Sequence, residues 1–385
     1  MDVKKHSMLN DAVLLAMVLC LIGSFFGTVF EVTRVTSLAF SLSLVLVLGF
    51  FAYRCFLNNR INLYLVIVLF LLVLSLLFGG LSGGLDYFKP AIIFVCSLAC
   101  IALAYDVEIS ENAKKLMLLA VMAASVVIIV YFHFFGLKEE FYGSTDLVVL
   151  NFPNPNEAGM WIMSFIMLTV SGMRVFSGIV MKIASTAVAV FLIPLLMATK
   201  SRNAIIACAF FLVGFLAIRI LKIRSAPKWA ILAVTLSPFI VFSAYMLIHY
   251  VNPDTLDVVV GDDPSKTMSS RAGVWSRVMK NFGDSFLVGD YGEFADQNMH
   301  NSFASIFCQY GMPLLAAAAW FMYDAACRAQ RRFSIYAALS LCAAYLSGCF
   351  ETSFFCGISG LYLILFLLPA CNGKGDRKEA AYAEQ

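Results

Sequence analysis

Charge is the first thing this chain lacks. Only 13% of its 385 residues are charged, about half the share in an ordinary soluble protein. Hydrophobic residues make up 61%, and the mean hydropathy is +0.87. No water-soluble core can use that much apolar surface, so the composition points to a polytopic membrane protein. Other absences narrow the chemistry. The 11 cysteines form no CxxC pair and no Cys/His cluster at metal spacing. Most of them, such as Cys20, Cys96, Cys100, Cys208, Cys308 and Cys342, lie in apolar runs and read as small buried hydrophobes. Only Cys349 and Cys356, flanking a short loop, are placed to be checked for a bridge. No Gly-rich phosphate loop follows a strand. No Asp-rich metal motif stands out; "GDD" at 261–263 is the nearest, in an acidic stretch. The first apolar run follows "MDVKKHSMLND" without a small-residue cleavage site, so it reads as a span rather than a leader. No metal and no cofactor are expected.

What is present is a series of apolar runs, about twelve, each long enough to cross roughly 30 Å of hydrocarbon as a helix. They lie near 12–30, 36–53, 61–80, 88–104, 116–136, 157–173, 183–199, 203–219, 229–249, 301–323, 333–349 and 355–371. The chain divides into spans one to nine (1–249), a large loop (250–299), spans ten to twelve (300–371) and a tail (372–385). The Lys and Arg distribution sets the orientation. With the N-terminus inside, nine fall outside: Arg34, Lys89, Lys138, Lys200, Arg202, Lys266, Arg271, Arg277 and Lys280. The other 18 of the 27 fall inside. An even span count then puts both termini in the cytoplasm, with the large loop and most of the conspicuous polar residues on the outer face.

The loop is long enough to be functional. Within it, "SSRAGVWSRVMKNF" at 269–282 carries an apolar stripe at helical spacing: Val274, Trp275, Val278, Met279 and Phe282. Arg271 lies in the middle of that stripe, while Arg277 and Lys280 lie opposite. Arg271 either faces inward or snorkels at the helix start.

Three polar clusters stand at the outer edge. "NFPNPNEAGM" at 151–160 offers a turn at Asn154, Pro155 and Asn156, then Glu157 at a helix start, where a carboxylate suits the dipole. This is either a capped helix or a polar wall at a cavity mouth. "ATKSRNA" at 198–204 holds Lys200 and Arg202 between two spans with almost no loop. Two cations beside hydrocarbon need water or a partner. They are either interfacial anchors or a fork for phosphate oxygens. His300 and Asn301 then open the tenth span, directly after the large loop. Histidine titrates near neutrality and can act as a general base, although a lone interfacial histidine is more often structural.

Taken in order, the "NPN" turn, the "SR" pair, the large loop with "SR…W" and "G.YG", then "HN" and Gly311, resemble the bacterial O-antigen ligase and O-antigen polymerase superfamily. The resemblance covers roughly 150 to 320. It implies an all-α polytopic membrane protein with about twelve spans, GT-C-like, in the bacterial inner membrane. It also implies a glycosyltransferase that moves a glycan from undecaprenyl diphosphate to an acceptor sugar hydroxyl on the periplasmic face. By motif, Arg202 and Arg271 resemble the arginines that hold the diphosphate, and His300 the residue that activates the acceptor. Lys200 would help neutralise phosphate, Asn301 and Tyr291 would position sugar, and Asn154, Asn156 and Glu157 would line the mouth. The reaction would be metal-independent and inverting. Its partners would be the lipid-linked donor, a lipid-linked repeat or lipid A–core acceptor, membrane lipids and a chain-length regulator, with no nucleic acid. After Gly311 the run is "GMPLL", with Pro313 where ligases usually carry Gly or a small polar residue. That favours polymerase over ligase. A third reading, a transporter of lipid-linked glycan, would call for mid-membrane charge and internally repeated halves; the spans are nearly free of mid-depth charge and show no internal repeat. A structural membrane protein with a docking loop is the reading outside both classes.

Overall fold

A computed structural model describes residues 2–58, 63–78, 89–107, 109–135, 139–141, 144–147, 150–152, 154–251, 283, 286–294 and 300–349. The expected span at 355–371, Cys356, the tail, Arg271 and nearly all of the 250–299 loop, including the helix at 269–282, lie outside the described residues.

The described chain is helical apart from one small antiparallel hairpin, Glu139–Phe141 (β1) with Ser144–Leu147 (β2). The helices are α1 Asp2–Val29, α2 Thr33–Asn58, α3 Leu63–Phe78, α4 Lys89–Asp106, α5 Glu111–Phe135, α6 Pro155–Val175, α7 Ile179–Ala198 and α8 Arg202–Leu221. They continue with α9 Lys228–Thr235, α10 Ser237–Val251, the single turn α11 Tyr291–Phe294, α12 Ser302–Arg332 and α13 Ile335–Ser347. Seven are long and apolar enough to cross a bilayer on their own: α1, α2, α5, α6, α7, α8 and α12. The run at 229–249 is not one helix. Pro238 has no N–H to donate, and it disfavours helical backbone at the residue before it. The chain turns at Leu236, and Ser237 Oγ takes the Val234 carbonyl at 2.7 Å.

The central helices are α6 and α12. Every residue from Ala158 to Gly172 is buried, as is every residue of α12 from Ser302 to Gly311. Phe25 of α1 packs on Trp161 and Phe165 of α6, with ring centroids 5.1 and 5.2 Å apart. The peripheral helices reverse this pattern. On α7, Ile179, Val180, Val190 and Phe191 point outward, as do Val213, Leu216 and Ile220 on α8. So much outward apolar surface belongs against lipid rather than water. The chain is a multi-pass helical membrane protein.

Contacts far apart in sequence sort the bundle into two ends. At one, Asn151 Nδ2 donates to Val29 O at 2.7 Å, and Asn203 Nδ2 donates to Ser347 O. At the other, Ser110 N donates to Asp11 Oδ1 at 2.9 Å, and the Arg174 guanidinium lies 3.8 Å from the centroid of the Tyr336 ring. The first end holds the N-termini of α6, α8 and α12, and with them the three polar clusters.

Candidate functional site

Each cluster opens a helix. Asn154 caps α6, its side chain accepting the Asn156 N–H at 2.8 Å, with Pro155 in the first turn. Glu157 follows in the same turn, half-buried. Ser201 caps α8 and Asn301 caps α12. The residue before each of those two caps is left-handed: Lys200 at φ 52° and His300 at φ 50°. Non-glycine residues rarely adopt this backbone, and strain of this kind clusters at functional positions. Lys200 and Arg202 are exposed, and His300 is half-buried.

The clusters meet through small residues and backbone carbonyls. A Cβ at Gly159 would sit 2.6 Å from Ser201 Cβ and 3.1 Å from Thr199 Oγ1. Glycine there lets α6 lie directly on the turn before α8. Beyond that turn, Asn203 is tied to Ser347 O. One residue on, Ser302 N donates to Gly348 O at 3.0 Å. Next, Asn301 Nδ2 donates to Cys349 O at 2.9 Å. The α8 and α12 starts are therefore fastened to one three-residue stretch at the end of α13.

Asn301 is 0% exposed. Its amide donates to both Cys349 O and Pro238 O, and its Oδ1 accepts from Phe303 N and Ala304 N, all at 2.9 Å. A neutral amide offers two donors and two lone pairs. All are engaged inside the fold, so no capacity remains for a sugar. Tyr291 is likewise 0% exposed, 5.5 Å from the Tyr310 ring, which also lies 5.1 Å from the Phe94 ring. The resemblance places both residues beside the acceptor; in the structure both side chains are buried among protein groups. Cys349 Sγ lies 3.3 Å from Ser237 Oγ, another link to the α9–α10 break.

The "G.YG" stretch and Gly311 have a shared explanation that spacing alone does not supply. At Gly311 (φ 83°, ψ 174°) α12 breaks, with Pro313 two residues on. A regular helix would join Met312 N–H to Cys308 O. Here the segment 286–290 enters between them. Asp290 N donates to Cys308 O at 2.7 Å, and Met312 N donates to Phe286 O at 2.8 Å. Gly289 (φ 70°) and Gly311 face each other's strand of backbone. A Cβ on Gly289 would overlap Gln309 and Tyr310, and one on Gly311 would lie 2.5 Å from Leu287 O. The segment 286–290 of the large loop is thus docked into a helix break.

The α8 start is electrostatically suited to an anion. Ser201 Oγ is buried and has no hydrogen-bond partner among the described residues, and its side chain leaves the cap unmade. The first N–H groups of a helix carry partial positive charge. Lys200 and Arg202 flank them. Phosphate groups bind at such termini. Comparison with models of protein families, with curated proteins and with solved structures finds no match for this chain.

Proposed function

We propose that the chain is a membrane glycosyltransferase acting on an undecaprenyl-diphosphate-linked glycan, as a surface polysaccharide polymerase of the O-antigen type. In this reading it has twelve spans in a GT-C-like arrangement in a bacterial inner membrane. Both termini are cytoplasmic, and the reaction faces the periplasm. The observation that carries the reading is the meeting of three helix starts at one end of the bundle. That meeting gathers a phosphate-suited helix terminus with two cations, a half-buried imidazole and a docked loop limb.

In the proposed step, the acceptor sugar hydroxyl attacks the anomeric carbon of the donor glycan. The bond from that carbon to the diphosphate oxygen breaks, and the configuration inverts. The hydroxyl proton passes to the imidazole of His300, which later returns it to water. Undecaprenyl diphosphate leaves with the bonding electrons. Its growing charge is met by Arg202, Lys200 and the α8 N–H groups, with Arg271 joining from the loop. Preorganised donors of this kind each lower a barrier by roughly 3 kcal/mol, and a positioned base contributes ~10²–10⁴-fold. Asn154, Asn156 and Glu157 stand one helix away, across the Gly159–Ser201 contact, and would line the mouth.

A second reading, transport of a lipid-linked glycan, draws on the broken helices, because transporter sites often use discontinuous spans. At the breaks described above, however, Pro238 O, Cys308 O and Met312 N are taken by protein partners. The breaks therefore serve packing more readily than cargo. The deciding experiment is a glycan gel on a strain deleted for this chain. A single capped repeat with no polymer is the result expected of a polymerase. Loss of capped forms with accumulation of lipid-linked polymer would make it a ligase. Trapping of the donor on the cytoplasmic side would make it a transporter.

A further inference from the structure

The opposite end of the bundle carries a feature that glycosyl transfer does not use. Between Glu157 and Asp254 the chain has no Asp or Glu, yet it holds Arg174, Lys182, Lys200, Arg202, Arg219, Lys222, Arg224 and Lys228. Four of these crowd into "RILKIRSAPKW" at 219–229, between α8 and α9. All four are exposed. They alternate with apolar side chains that are also exposed: Ile220 at 72%, Leu221 at 69% and Trp229 at 73%. Cations and outward aliphatics at one level match a surface that is charged on one side and hydrocarbon on the other.

The segment is held in shape. Helix α8 ends with Ile223 N donating to Ile218 O at 3.1 Å across Lys222, which is left-handed at φ 53°. Glycine is the usual residue at that point of a helix end. Lysine accepts the strain, and its charge is what glycine would lack. Farther on, Ala226 N donates to Gln330 Oε1 at 2.8 Å, and Gln330 Nε2 donates back to Ala226 O at 3.1 Å. The doubled amide pair fastens the loop to α12. The nearest described acid on that helix, Asp324, is already bonded to Arg328 at 2.6 Å.

We propose that residues 219–229 form a seat for an anionic phospholipid of the leaflet at that end. Arg219, Lys222, Arg224 and Lys228 meet the headgroup phosphate, and Ile220, Leu221 and Trp229 lie along the acyl chains and the interface. A fixed loop of cations with no ion-pair partner among the described residues, beside exposed apolar side chains, fits a diacyl phosphate better than a soluble anion, which would have no use for the hydrocarbon.

The test reconstitutes the full chain in nanodiscs of phosphatidylcholine carrying a minor fraction of phosphatidylglycerol. Native mass spectrometry then measures which lipid stays with the protein. Phosphatidylglycerol is expected to be retained in preference. Each cation removed is expected to weaken that preference about fivefold. Lys222→Gly suits the left-handed backbone and removes one charge without threatening the fold, and Arg224→Gln provides a second variant. Lys182→Gln, at the same end but outside the seat, should leave the preference unchanged. Equal retention of both lipids, or an unchanged preference in Lys222→Gly and Arg224→Gln, would overturn the proposal. So would displacement of the retained lipid by inorganic phosphate alone, which would reassign the patch to a soluble anion.

Discussion

Asn301 and His300 are neighbours in sequence and opposites in role. The amide of Asn301 makes four hydrogen bonds, at the N-cap of α12, at the α9–α10 break and at the end of α13. Asn301→Ala removes a cap and leaves buried carbonyls and N–H groups without partners. The expected cost is about 2–4 kcal/mol, seen as a lower melting temperature of the purified protein. An unchanged melting temperature would mean that these bonds do not hold the seam. His300 allows a cleaner substitution than alanine, because its backbone is left-handed. In His300→Gly the relief of that backbone offsets the extra chain entropy of glycine, so stability should stay within about 1 kcal/mol. Polymer formation should nevertheless fall by at least ~100-fold if the imidazole acts as base. A glycan gel alongside a membrane-level blot checks both halves. Normal polymer at normal protein level would remove His300 from the chemistry.

At the scale of elements, the periodic apolar runs were legible because every span must satisfy its own backbone, so hydrophobicity and length mark it. The sequence also singled out Gly311, "G.YG", "SR" and "HN". What it could not convey is why they belong together. The partners of Gly289 and Gly311 are backbone atoms some twenty positions away, and backbone leaves no residue-type signal. The same holds for Asn301, whose acceptors are two carbonyls of no particular residue identity. Asn203, next to the conspicuous Arg202, carries no sequence signal for the same reason, although it ties α8 to α13. The break at Leu236 could have been read from Ser237–Pro238, since proline interrupts the helical ladder. The two glycines yield a contrasting pair of expectations. Gly311→Ala places a side chain in glycine-only backbone against Leu287 and should cost about 3 kcal/mol or more, with loss of polymer. Gly49→Ala, in α2 with nothing within 4 Å of the new Cβ, should be neutral or stabilising by about 0.5–1 kcal/mol. Thermal unfolding of both variants in one detergent tests this. Equal melting temperatures would show that the helix break is not a fixed feature.

For the molecule as a whole, one end gathers the helix starts and the candidate chemistry, and the other gathers the bulk of the described cations. That polarity predicts the orientation. Lys200→Cys should react with a membrane-impermeant thiol reagent from the periplasm, and Lys222→Cys only after the inner membrane is opened. The native cysteines among the described residues are buried or half-buried, which keeps the background low. Labelling of both positions from the same side would break the two-ended account.

The central claim is that a lipid diphosphate departs from a glycan at the end where α6, α8 and α12 begin. The direct measurement is release of undecaprenyl diphosphate by the purified chain in vesicles supplied only with undecaprenyl-diphosphate-linked repeat units. The account predicts one diphosphate lipid released for every repeat added, with both lost together in His300→Gly. A correctly folded wild-type chain that releases none, or a His300→Gly variant that matches it, would contradict the account.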